Sequence, residues 1–248
     1  MKKIAAILLA SSLFTTPALA GVVGDVKSPE VTQGKLEFEY SGVRYGDDSG
    51  SSNNNLQQHG FEVTYGLTDR FRLGLEAEAE RESGESFDVE AYGVNAKYEL
   101  TGQGAWWLSS ALSGGYDFAD KNDNPDEGSL KLLLQRNQEK WEFLVNLNMS
   151  REFGDNHEGG LTLTSNTQAV YNLFAYANPG LEWHAEYGKA NDLNNSDTRA
   201  HYLGPVVTGV VFETEKSELE YEAGYFLGIN DNAADNAARV LLAYAIKI

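Results

Sequence analysis

Between Phe71 and Glu80 the chain reads FRLGLEAEAE: Phe71, Leu73, Leu75, Ala77 and Ala79 alternate with Arg72, Gly74, Glu76, Glu78 and Glu80. A period of two is the spacing of a β-strand with one apolar and one polar face. The alternation recurs in runs of about ten residues along the whole chain. It predicts strands near 34–45, 57–67, 70–81, 87–100, 105–118, 129–138, 141–153, 160–175, 181–190, 199–213, 217–228 and 237–248, twelve in all.

The connections alternate as regularly as the side chains. Short ones fall at Leu67-Thr68-Asp69, Thr101–Gly104, Asn137–Lys140, Asn178-Pro179-Gly180 and Glu213–Lys216. Longer polar ones fall at 47–55, 82–86, 119–128, 154–159, 190–198 and 229–235, rich in the Asn, Asp, Gly and Pro that turns require. Tight turns on one side, long loops on the other and an even number of strands are the pattern of an outer-membrane barrel. Lipid cannot satisfy backbone N–H and C=O groups, so a spanning sheet has to close on itself. The expected fold is therefore all-β, a transmembrane up-and-down antiparallel β-barrel. Its alternative is a secreted soluble barrel or sandwich with the apolar rows turned inward.

Aromatic residues decide between the two. Tyr65, Phe71, Tyr98, Trp106, Trp141, Trp183 and Phe212 gather beside the short turns. Phe87, Tyr116, Phe118, Phe153, Tyr187 and Tyr202 gather beside the long loops. Two aromatic girdles suit the two interfaces of a bilayer, and a soluble barrel has no reason to sort rings by depth. The outward rows then include Leu36/Phe38/Tyr40, Phe61/Val63/Tyr65, Val206/Val210/Phe212 and Val240/Leu242/Tyr244/Ile246.

Composition closes other routes. The formal net charge of −18 repels nucleic acid. There is no cysteine, hence no disulfide to brace the fold. Residues 1–20, MKKIAAILLASSLFTTPALA, read as a signal peptide: two lysines, an apolar stretch, and Ala18-Leu19-Ala20 at the cleavage site. No later run is long and apolar enough for a spanning helix. Residues 21–33 lack sustained alternation, and both a periplasmic leader and a segment folded into the lumen fit them. The barrel is expected over 34–248, with outer-membrane lipid, lipopolysaccharide and the barrel-assembly machinery as its partners and no cofactor.

Two passages carry a resemblance. YGLTDRFRLGLE (65–76), and HYLGPVVTG (201–209) with LEYEAGYFLGIND (219–231), resemble the bacterial outer-membrane barrel family labelled phenol-degradation MetA-pathway, or transporter-like. The resemblance implies an outer-membrane barrel of the channel type with no established chemistry. The chain departs from outer-membrane barrels that end on an aromatic residue, for its last aromatic is Tyr244 and it ends Ala245-Ile246-Lys247-Ile248.

The candidate site is the lumen. By parity Glu37, Glu39, Glu62, Glu76, Glu78, Glu80, Glu218, Glu220 and Glu222 point inward from the first, second, third and eleventh strands, which closure makes one wall. The inward cations are few: Lys35, Arg72, Lys97, Lys131 and Arg239. Such a wall concentrates cations, and the expected function is a passive, weakly cation-preferring channel for small polar or aromatic solutes. A lumen filled by its own side chains, in a structural or surface-display barrel, is the alternative. Glu182, His184 and Glu186 share the inward face, but same-face neighbours on one strand stand nearly 7 Å apart and converge poorly on a metal. An outer-membrane lipid-modifying enzyme would need a nucleophile and its base, and none of His59, His157, His184 and His201 has a serine at such a spacing.

Overall fold

The computed structural model describes residues 22–49, 51, 53–102, 106–121, 124–157, 159–193 and 199–248. The expected signal peptide, residues 1–20, lies outside these. Twelve antiparallel strands close into one barrel: β1 (Lys35–Gly46), β2 (Gln57–Gly66), β3 (Phe71–Arg81), β4 (Asp88–Thr101), β5 (Ser109–Ala119), β6 (Asp126–Gln138), β7 (Trp141–Phe153), β8 (Thr162–Tyr171), β9 (Asn178–Lys189), β10 (His201–Glu213), β11 (Ser217–Gly228) and β12 (Asn236–Lys247). Each strand pairs with its sequence neighbours, and β12 returns to β1 in an unbroken register from Lys35 opposite Lys247 to Gly46 opposite Asn236. This is the up-and-down barrel that the alternation predicts. Closure leaves no sheet edge.

Apolar side chains face out. Phe38, Phe61, Val63, Leu73, Leu75, Tyr92, Val94, Leu147 and Leu242 are exposed, and Leu75, at 64%, stands mid-strand. Their inward neighbours Thr64, Lys97, Gln135, Asn146 and Gln168 are buried. The barrel is thus greasy outside and polar inside, the reverse of a soluble protein.

Three expectations are corrected. Asn178-Pro179-Gly180 is the start of β9 and not a turn. The connection runs over 172–177, where the Asn178 side chain accepts from the N–H groups of Leu173 and Phe174. Pro179 is tolerated because it sits at the strand's end, where a missing donor costs little. Next, β5 begins at Ser109, so Trp106 is exposed beside Trp107 ahead of the strand.

The third correction concerns β10. Tyr202 and Val206 point inward, 3% and 2% exposed, and Val210 pairs with inward Glu220. Leu203, Val207, Val211 and Phe212 are the outward residues. A β-bulge between Val210 and Phe212 inserts Val211 and reverses the phase. Counting back from Phe212 therefore puts every earlier residue on the wrong face. The VVTGVVF run is apolar on both faces, so alternation could not expose the slip.

The other girdle residues keep to the outer side. Tyr65, Tyr98, Trp141 and Phe212 are exposed toward the short turns, with Phe71 half-buried beside Tyr98. Trp183 is instead exposed in mid-strand, opposite Leu203 and against the His201 ring at the long-loop end of β10, and not at the short turns. Toward the long loops Phe87 is exposed, Tyr116 packs against Phe118 and Phe153, and Tyr187 packs edge-on to His201.

Candidate functional site: the lumen

Register assembles what parity alone cannot. Directly opposed residues run Glu220–Ala243–Glu39–Glu62–Glu76–Gly93–Asp117–Glu127–Glu152 across nine consecutive strands. Glu220 is near the short-turn start of β11, and Glu152 is next to last in β7, at the long-loop end. Because barrel strands tilt, a row perpendicular to them climbs the wall. The carboxylates therefore form a spiral from one mouth of the barrel to the other. The predicted acidic wall held only the part from β11 to β3. Asp117, Glu127 and Glu152 had inward parity too, but only the strand register places them in the same row.

Gly93 lets two members of the row meet. A Cβ there would lie 2.1 Å from the Asp117 carboxylate and 2.5 Å from the Glu76 side chain, so both carboxyl groups converge over the bare backbone. Like charges directly opposed across a sheet repel. The row is therefore an attractor for cations wherever it is not already neutralised.

The lower-middle part is neutralised. Lys35 pairs with Glu37 at 2.5 Å, and Arg72 reaches Glu37 at 3.5 Å and Glu62 at 3.6 Å. Asn95 donates to Glu62 at 3.0 Å. The main counter-charge at Glu39 and Glu62 is Lys27, from outside the barrel strands: its ammonium pairs with Glu39, and with Glu62 at 3.0 Å. Burial opposes the Lys27 ammonium, but Glu39 and Glu62 outweigh it and hold Lys27 well above the usual lysine value. Sequence parity could not find this residue, because 21–33 has no strand period.

Elsewhere the lumen is wet. Glu78 and Lys131 face inward toward the long-loop half and are exposed, and Glu220 is exposed toward the short-turn half. Among the described residues Glu76, Glu78, Glu218 and Glu220 form no ion pair. Glu80 accepts from Gln58 at 2.9 Å. Lys97 is buried and donates to the Ser28 carbonyl at 2.8 Å.

Residues 22–33 thread through this interior. The hydroxyl of Tyr45 accepts from Val23 N–H at 3.3 Å, Arg239 donates to the Gly24 carbonyl, and Ser28 meets Gln135 at 3.1 Å. Val31 N–H donates to Glu99 at 3.0 Å. Val23 is buried with Val43, Tyr45, Leu56, Tyr202, Val206, Phe226, Ala234 and Ala237, an apolar cluster inside the barrel near the long loops. That cluster explains why the inward face of β10 is apolar.

Arg239 organises a second interior group. At 1% exposure it donates to Glu182 at 2.9 and 2.7 Å and pairs with Glu222, while Gln168 donates to Glu222 at 2.7 Å. His184 Nε2 lies 2.8 Å from Glu182, and the Arg239 guanidinium stands over the Phe226 ring at 5.3 Å. The inward Glu182 and His184 thus serve a buried arginine. The other described histidines are placed apart: His59 contacts Tyr40 at 2.8 Å, His157 a loop carbonyl at 2.8 Å, and His201 the Trp183 and Tyr187 rings.

No family model matches the chain, and no curated protein matches its sequence. Solved structures do resemble it. An outer membrane channel from Pseudomonas putida F1 superposes with a TM-score of 0.62 at 16% identity, covering 90% of this chain and 98% of that one. The NanC porin gives 0.55 at 10% identity, covering 86% and 100%, and the KdgM porin 0.51 at 13%, covering 86% and 99%. These similarities establish the fold as that of outer-membrane channel and porin barrels.

Proposed function

We propose that the chain is an outer-membrane channel for small polar or aromatic solutes, passive and weakly cation-preferring. The observation that carries this is the carboxylate row linking the two mouths of the lumen, with inward Glu78, Lys131 and Glu220 open to water. A barrel built only to stand in lipid has no need of opposed acids that repel one another. The exposed apolar outer face and its girdles fit outer-membrane lipid and the lipopolysaccharide leaflet. The channels and porins of like fold support the reading, as does the resemblance to the phenol-degradation MetA-pathway barrels. The chemistry is exclusion and attraction: the wall repels anions and admits neutral and cationic solutes that fit.

A second reading, a structural barrel that conducts nothing, is favoured by one observation, the passage of residues 22–33 through the interior. Solute flux separates the two. Liposomes carrying the folded protein should swell in small neutral and cationic solutes faster than protein-free liposomes. A folded barrel that leaves them as tight as the control would favour the structural reading.

A further inference from the structure

Lys27 spans the lumen. Its main chain is held by β7, where the Asn146 side chain accepts from Lys27 N–H at 2.7 Å and donates to the Lys27 carbonyl at 2.9 Å. Its ammonium is held by β1 and β2, at Glu39 and Glu62, with Asp25 of the segment itself 3.5 Å away. β1 and β7 are six strands apart in a ring of twelve, so they face each other across the barrel. One residue therefore ties opposite walls together at the neutralised part of the carboxylate row.

The rest of the segment is secured unevenly. At the short-turn end it is fixed: Gly34 N–H donates to the Gly66 carbonyl at 2.9 Å, and a Cβ on Gly66 would fall 2.0 Å from the Thr32 carbonyl oxygen. Backbone passes backbone there with nothing between. At the other end Val23 is held by apolar contacts and one long hydrogen bond to Tyr45. Between the ends residues 22–33 join no strand ladder, and most of their holds are side chains reaching from β1, β2, β4, β6, β7 and β12. A segment anchored at one end and held elsewhere by separate side-chain contacts is built to be released in parts, as an interior strand is not.

We propose that residues 22–33 are an autoinhibitory strap, hinged at Thr32–Gly34, and that the Lys27 ammonium occupies the Glu39–Glu62 step of the carboxylate row in place of a permeating cation. Lys27 then has two effects. It closes the lumen by tying β7 to β1 and β2, and it lowers cation preference by offsetting one unit of the negative charge at the Glu39–Glu62 step of the row. Displacing it opens the path and unmasks those acids together. This rests on the channel reading, which it deepens by naming the element that sets the open fraction and the ion preference.

The test uses the purified full-length protein in planar bilayers, with Lys27→Met, which keeps the stem and removes the charge, and Asn146→Ala, which removes both main-chain bonds. Both should raise mean conductance several-fold, and Lys27→Met should also move the reversal potential further toward cations. A second readout needs no conduction. The chain has no cysteine of its own, so Val23→Cys gives a single label on a residue that is 1% exposed. Its reaction with a small water-soluble thiol reagent should be slow in the otherwise native protein and several-fold faster with Asn146→Ala or Lys27→Met. Unchanged conductance and unchanged labelling in both variants would overturn the strap. If labelling accelerates while every folded variant stays silent, the strap's release stands but the channel reading, and with it the inhibitory role, fails.

Discussion

The side chain of Asn146 and the main chain of Lys27 form a closed pair of hydrogen bonds, 2.7 and 2.9 Å, while the same lysine's ammonium reaches the opposite wall. A barrel of twelve strands is wide enough to need such a cross-brace and narrow enough for one residue to supply it. The brace makes the interior a packed region at mid-height with water-exposed charge on either side. This has consequences for stability as well as for transport.

Arg239 is the most demanding part of the packed region. It is buried against Glu182 and Glu222, and removing one partner of a buried ion pair leaves the other unpaired. Arg239→Met should cost about 3–5 kcal/mol. Adding Glu182→Leu should recover part of that, because it removes one of the two carboxylates that Arg239→Met leaves unpaired, Glu222 being the other. Urea unfolding in lipid vesicles, read by tryptophan fluorescence, measures both; a double variant no more stable than the single would refute the pairing argument.

Outer and inner faces should respond oppositely to charge. Leu75 is outward and mid-strand, and Arg there should cost about 2–4 kcal/mol if the apolar band meets lipid. Arg at Glu78, three residues along but facing the wet lumen, should cost much less. Equal costs in the same vesicle titration would mean that the faces are assigned wrongly.

Close backbone contact makes one glycine indispensable. At Gly204 a Cβ would lie 2.0 Å from the Tyr225 carbonyl oxygen and 2.6 Å from the Phe226 Cα, neither of which can swing aside. Gly204→Ala should destabilise by at least about 1–3 kcal/mol, the usual cost of overpacking. Wild-type stability in the variant would show that β10 and β11 separate more easily than their register implies.

Much of this was legible in the chain itself, and the reason is physical. Strand period, turn chemistry and the sorting of rings are local signals, so the twelve strands and most outward rows could be read directly; β7 and β11 lie where the alternation puts them. Tyr202 and Val206 could not be placed, because a bulge reverses phase without changing composition. The acids of β1, β2, β3 and β11 could be sorted by parity, but the row through Asp117, Glu127 and Glu152 depends on register across four further strands. Lys27 was the least visible: its segment has no period, and its partners are 12 and 35 residues away.

Ion preference tests the channel account most directly. The measurement is the reversal potential of the purified protein in a planar bilayer under a salt gradient, compared with a Glu76→Gln, Glu78→Gln, Glu220→Gln variant. These three carboxylates are inward and form no ion pair among the described residues, so Gln keeps their size and hydrogen bonding and removes only charge. The account predicts a cation-directed potential in the unmodified protein that moves toward zero in the variant. It also predicts that the preference fades near 1 M salt, where the Debye length falls to about 3 Å. An anion-directed potential, or one that the triple substitution leaves unmoved, would contradict it.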